Sequence, residues 1–286
     1  MTRNMKRLIL CSLLVLALLP ASAQGRIETK KFKIADFPAK TTKIVLTGND
    51  VVDEAFRKEI TERWNISPFE FCTPQEFTSL QGSNLYYFLT FANGPAGPEG
   101  EAGLTFLTLV KGGTKAEKGL AGMLEVISVP FAPSGAPSTR SFLFLPALID
   151  IIQDFIPKAI QKDRTGYAGL SSYNKNLSKA QGRRILLSRN DLSGKLDDDQ
   201  IANCLNPRFF VVDEETADRA FADAEQETLV GYLIAPFAPS QGALTYKMLI
   251  DAETHELYYF KREKAGKDGD AGFSADELKK FSNLNK

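Results

Sequence analysis

The sequence predicts an α/β (α+β) protein of two tandem similar units, each a mixed β-sheet with helices in the order β-α-β-α-β-β-β-α. Three observations carry this. Lys43-Ile-Val-Leu-Thr-Gly-Asn-Asp50 repeats as Arg184-Ile-Leu-Leu-Ser-Arg-Asn-Asp191 at an offset of 141. After each copy, short β-branched and aromatic runs alternate with apolar residues at helical spacing, so strand and helix signals interleave. The composition, 43% hydrophobic and 24% charged over 286 residues, is that of a globular chain long enough for one large core or two ordinary ones. It excludes wholesale disorder and a multi-span membrane protein. The 35 basic and 35 acidic side chains cancel, which argues against a nucleic-acid surface spread over the chain.

Residues 1–23 read as a signal segment. Arg3, Lys6 and Arg7 form its basic start, Leu8 to Leu19 its apolar run, and Ala21-Ser22-Ala23 its cleavage site before Gln24. The run is short for a bilayer, and no second one follows. Cys11 lies inside it and not after the cleavage site. The expectation is an exported protein, periplasmic or secreted, and not a lipoprotein. Without the leader, 32 basic groups face 35 acidic ones, a net charge of −3.

The first unit is expected at 24–165, a polar linker at 166–182 and the second unit at 183–286. Lys31 to Ala35 reads as an added strand. In the first unit Val52, Phe56, Ile60 and Trp64 share one helical face, with Asn49 or Asp50 as cap and Asp53 and Glu54 at the positive end of the dipole. Phe69 to Phe71 is a short strand. Thr73-Pro74-Gln75-Glu76 is a capping box with proline at the first helical position. Leu85 to Phe91 is a third strand, and Leu104 to Val110 with Met123 to Val129 a hairpin. Pro146 to Lys162 closes the unit, with Asp150, Asp154 and Lys158 as a polar stripe and Pro157 as a kink. Phe142 to Leu145, then Leu148, Ile149, Ile151 and Ile152, are more apolar than one helix face needs, so this helix should pack between the units.

The second unit repeats the pattern. Asp197, Asp198 and Asp199 open a helix turning Ile201, Cys204 and Leu205 inward, and Phe209 to Val212 is a strand. Asp213-Glu214-Glu215 leads a helix carrying Ala217, Ala220 and Phe221. Thr228 to Ala235 is a strand, Leu244 to Ile250 and Glu256 to Phe260 a hairpin, and Ser274 to Phe281 the last helix.

Candidate sites are few. Lys267 to Glu277 resembles the later part of an EF-hand calcium loop, with Asp268, Asp270, Ser274 and Glu277 as oxygen ligands. Against it, Gly266 stands where the first aspartate belongs, Ala271 replaces the turn glycine, and Ser274 with Glu277 also reads as a capping box. Ser172 and Lys175 match a serine acyl-enzyme spacing without its partner motifs. His255, the only histidine, is expected to be solvated at a hairpin tip, which leaves no triad and no Cys/His metal framework. Cys72 and Cys204 are the cysteines of the mature chain, and their pairing is open. Asn93 to Gly103 has glycine at every third position, too few triplets for a collagen helix, and its prolines lack the amides of a phosphate cradle. It reads as a surface loop.

Pro130-Phe131-Ala132-Pro133-Ser134 recurs as Pro236-Phe237-Ala238-Pro239-Ser240. Proline turns account for both copies, and Phe131, Phe237, Phe142 and Phe144 form the candidate partner surface. The Gln after Ala-Ser-Ala and the duplicated unit resemble uncharacterised secreted proteins of Bacteroidetes-type bacteria. The unit also looks like small mixed-sheet envelope domains such as the amino-terminal domain of TolB. Neither resemblance carries functional residues. The expectation is an exported, non-catalytic binding protein with a protein partner in the envelope and no cofactor. The alternative is a carboxylate-dependent hydrolase of envelope or extracellular polymers, since paired acids need no motif.

Overall fold

The structure is a computed structural model that describes residues 31–94, 103–113, 115–135 and 137–285. The expected signal segment, residues 1–23, and most of the glycine-proline loop lie outside the described residues. In the first unit the chain forms β1 (Thr41–Val45), α1 (Asp50–Arg63), β2 (Phe69–Cys72), α2 (Pro74–Leu80), β3 (Tyr86–Asn93), β4 (Leu104–Lys111), β5 (Leu124–Pro133) and α3 (Thr139–Gln161). A short α4 (Asp163–Ala168) leads to the second unit: β6 (Arg184–Ser188), α5 (Asp198–Ala202), β7 (Phe209–Val212), α6 (Glu214–Ala222), β8 (Thr228–Ile234), β9 (Leu244–Asp251), β10 (Leu257–Lys264) and α7 (Ala275–Ser282). The sheets run β2-β1-β3-β4-β5 and β10-β9-β8-β6-β7, the same order read from opposite edges. In both, the first strand is parallel to the next two, and the last three are antiparallel. The predicted order appears twice.

Local chemistry sets the helix starts. Asn49 caps α1 by accepting from the amides of Val51 and Val52. Thr73 and Glu76 close the capping box of α2, and Asp197 with Gln200 and Ser274 with Glu277 do the same for α5 and α7. Three segments differ from expectation. Lys31–Ile34 is a helical turn and not a strand: Ile34 and Phe37, three apart, both enter the core, and Pro38 sits in the 3₁₀ turn Phe37–Ala39. Helix α3 begins at Thr139 and not at Pro146, because Ser138 and Ser141 form a capping box upstream and the proline is taken into the helix. The polar linker is structured. Its 3₁₀ helix Gly169–Lys179 lies along edge strand β10, where Asn174 imitates a neighbouring strand. Asn174 Nδ2 donates to Phe260 O at 3.0 Å, and Asn174 Oδ1 accepts from Phe260 N at 2.7 Å.

Strand alternation assigns the faces. Leu244, Tyr246, Met248 and Ile250 of β9 enter the large core shared with α3, whereas Leu249 enters the smaller core beneath α5 and α7. In the first sheet Tyr87, Leu89, Leu107 and Leu109 face α1 and α3, whereas Val45, Phe88 and Val110 lie under α2. In each unit the first and last helices therefore share a face, and the second helix covers the other. Helix α3 sits on the α1 face of the first sheet and on the α6 face of the second. The units are stacked in the same sense, one behind the other, and not about a two-fold axis. The layers are α2, sheet, then α1 with α3 and α6, sheet, then α5 with α7.

This order explains the apolar excess of α3. Its buried residues, from Phe144 to Ala159, cover roughly two-thirds of its circumference at 3.6 residues per turn. Helix α7, on the outside, buries Leu278 and Phe281 and exposes Lys279 and Lys280. Cys72 and Cys204 lie in the two outermost cores with both sheets between them, and both are free thiols. Burial pushes the Cys72 thiol up to about 11. Among the described residues, no helix is long and apolar enough to cross a membrane.

Candidate functional site

Strand β6 leads through α5 to β7 on one side, and β7 returns through α6 to β8 on the other. Chains leaving β6 and β8 diverge, and in open α/β sheets such a switch point opens a crevice at the carboxyl ends of the strands. A cavity of about 540 Å³ lies there. Leu192, Leu233, Ala235, Pro236 and Pro239 give it apolar walls, and Asn190, Lys195 and the loop Lys267 to Gly272 give it a polar side. Phe237, between the two wall prolines, is 73% exposed.

The walls are fixed by the Asp270 carboxylate and by backbone contacts. Asp270 accepts from Ser193 Oγ at 2.7 Å and from Gly194 N at 3.1 Å. Phe273 N donates to Asp191 O at 2.7 Å, and Ser193 N to Phe273 O at 3.0 Å. Two glycines allow this closeness. A Cβ at Gly272 would stand 2.1 Å from the Leu192 carbonyl carbon, and one at Gly269, where φ is +75°, would stand 1.9 Å from Pro239 O. Gly272→Ala is expected to lower the unfolding free energy by about 1–3 kcal/mol through overpacking. Gly194→Ala, with nothing within 4 Å of its Cβ, should change it little. Urea denaturation of both variants decides; equal losses would mean that the close approach is absent.

The structure does not assemble the calcium set. Asp268 and Asp270 line the cleft, with Asp270 engaged by Ser193 and Gly194. Ser274 caps α7, and Glu277 is buried. Glu277 Oε2 accepts from Lys247 Nζ at 2.7 Å and from Ser274 N at 2.9 Å, and its Oε1 accepts from Tyr259 OH at 2.9 Å. Burial opposes charge on Glu277, but Lys247, the Ser274 amide and Lys261 together outweigh burial and hold the carboxyl below its ordinary range. A calcium ion at Glu277 would meet that ammonium. Among the described residues, no group of three or more His, Cys, Asp or Glu is placed to hold a metal.

The aromatic surface divides. Phe131 is 2% exposed and Phe144 fully buried, so neither can meet a partner; Phe142 is half-buried. The first Pro-Phe-Ala-Pro copy lies inside β5, where the Phe131 ring packs on Phe91 at 4.8 Å and its carbonyl accepts from Tyr232 OH at 2.8 Å. Phe144 is stacked between Phe221 and Tyr232, each at 4.1 Å. Only the second copy, beyond β8, is a turn. Ser172 and Lys175 fall on the 3₁₀ helix that covers β10.

His255 is not solvated. With φ of +58° it turns inward, Nδ1 lies 2.6 Å from Asp150 Oδ2, and the ring stacks on Phe221 at 5.5 Å. Asp150 also accepts from Arg63 Nη1 at 2.8 Å. Sequence reading also missed the carboxylates that the fold gathers: Asp191, Glu214 and Asp218 surround Arg140. The guanidinium is bidentate to Asp191 at 2.9 and 3.1 Å, reaches Glu214 at 3.0 Å and Asp218 at 2.9 Å, and donates to Gly231 O at 3.2 Å. Burial pushes the Asp191 carboxyl up to about 6 against the pull of Arg140. These acids are engaged with a cation of the same chain and do not face the cleft as a pair. No family model matches the chain, and no curated protein or solved structure matches it.

Proposed function

We propose that this chain is an exported, non-catalytic binding protein of the cell envelope, and that the cleft beyond β6 and β8 grips a partner protein. One observation carries the reading: Phe237 stands 73% exposed in the chain between Pro236 and Pro239, two prolines that line a cleft with apolar walls. A phenylalanine so placed gives up its burial free energy, and aromatic anchors beside apolar pockets are what interfaces use. The glycine-tight backbone means that little chain entropy is lost when the cleft is filled. The basic start, apolar run and Ala-Ser-Ala of residues 1–23 support export, as does the likeness to secreted proteins of Bacteroidetes-type bacteria.

The test places a photo-crosslinking phenylalanine analogue at position 237 in cells, with position 51 as control. Val51 is 69% exposed and lies at the start of α1, away from the cleft. A discrete adduct with an envelope protein is expected from position 237 and not from 51. Identical products from both positions, or none from 237, would end the proposal.

A further inference from the structure

Two polar crossings join the units, and they run in opposite senses. In one, Arg140 of the first unit enters a socket of three acids from the second, Asp191, Glu214 and Asp218. One guanidinium faces three carboxylates, so with all of them ionised the group keeps a net charge of −2. In the other, Asp150 of the first unit receives His255 of the second together with Arg63, whose Nε also holds Glu59 at 2.9 Å. Lys58 Nζ stands 3.4 Å from Glu59, so Arg63 and Lys58 balance Asp150 and Glu59 there. Unbalanced charge beside the buried Asp191 and Arg140 is costly because little solvent screens it there. The Arg140 crossing moves toward neutrality by taking up a proton.

We propose that the interface between the two units is a proton-operated clasp, which closes more tightly as the medium turns mildly acidic. In the first crossing the proton goes to Asp191, the most buried of the three acids. Burial raises its carboxyl most, Arg140 opposes, and Glu214 and Asp218 add to the rise. Strand β8 contributes Gly231 O and the Tyr232 ring to the same space, and neither brings charge. The second crossing carries no part of the proton step: the His255 ring and Arg63 share Asp150, and its acids are already matched by cations. The other acids of the His255 hairpin are engaged elsewhere: Asp251 by Arg183, Glu253 by Gln226, and Glu256 by Asn176 and Lys179.

The direction follows from linkage. A carboxyl raised from 3.8 to about 6 on folding holds a proton in that window which the unfolded chain has released, so stability rises as pH falls through 6. Asp36, Glu76, Asp213 and Glu277 are lowered on folding. They act in the opposite direction, but only as pH falls through about 4.5 and below.

The experiment compares urea midpoints of the full chain at pH 7.5 and 5.5, for the natural protein and Asp191→Asn. The natural protein should have the higher midpoint at pH 5.5, and Asp191→Asn should lose that rise. An unchanged or lower midpoint at pH 5.5, or an equal rise in Asp191→Asn, would overturn the clasp. Calorimetry of the natural protein at pH 6, in two buffers of different ionisation heat, tests it without mutation. Unfolding should release about half a proton, and zero release or net uptake would equally overturn it.

Discussion

Arg140→Met should lower the unfolding free energy by about 3–5 kcal/mol at neutral pH, the range for removing one partner of a buried ion pair. The side chain it replaces is 10% exposed and touches four acceptors, on β8, on α6 and at Asp191 beyond β6. Without the guanidinium, Asp191, Glu214 and Asp218 face one another with no cation between them. Methionine fills the stem of the arginine and keeps contact with Phe144 and Tyr232, so the loss reports charge more than volume. The loss should shrink at pH 5, where Asp191 can take up a proton and relieve the repulsion. Arg140→Lys keeps the charge but not the bidentate fork and should fall between the two. Urea denaturation followed by circular dichroism gives the number. A loss under about 1 kcal/mol would place the socket among exposed surface pairs.

The two units illustrate which features a sequence exposes and which it hides. Signals that act within a few residues were legible: Thr73 with Glu76, Ser274 with Glu277, and Asn49 ahead of α1 all cap the helices they predicted. The apolar excess of α3 was legible as well, because a helix between two sheets must be apolar on most sides. What stayed hidden depends on partners far along the chain. Arg140 precedes an apolar run and meets acids 51 and 74 positions away, acids that local reading assigns to turn and helix-start roles. His255 looks like a turn residue until Asp150, 105 positions earlier, turns out to lie beneath it. Phe131 and Phe237 share five letters of context, yet one is inside a strand and the other beyond one. For the candidate site, the Asp268 to Gly272 loop and Phe237 were legible. The cleft lined by that loop and by the prolines flanking Phe237 was not, since it arises from where β6 and β8 end relative to each other.

Lys247 is the second position where one substitution should have a large effect. It sits in the middle of β9 on the face turned toward α7, fully buried. Its ammonium bonds Glu263 and Glu277 and lies 5.6 Å from the centre of the Phe273 ring. The pattern Thr245, Lys247, Leu249 marks the position, because a lysine between core-facing neighbours of the same strand face requires a buried counter-charge. Lys247→Met should cost about 3–5 kcal/mol, since it strands Glu277 in a core that solvates it only through Ser274, Tyr259 and a more distant Lys261. Adding Glu277→Leu to Lys247→Met should recover part of that loss, because an apolar pair replaces an orphaned charge. The same geometry makes a statement about calcium. With Lys247 already neutralising Glu277, millimolar calcium should leave the melting temperature of the natural protein unchanged. A calcium-dependent rise would show that Glu277 can turn away from the ammonium toward Asp268 and Asp270, and the assignment of Lys247 as its fixed partner would then be wrong.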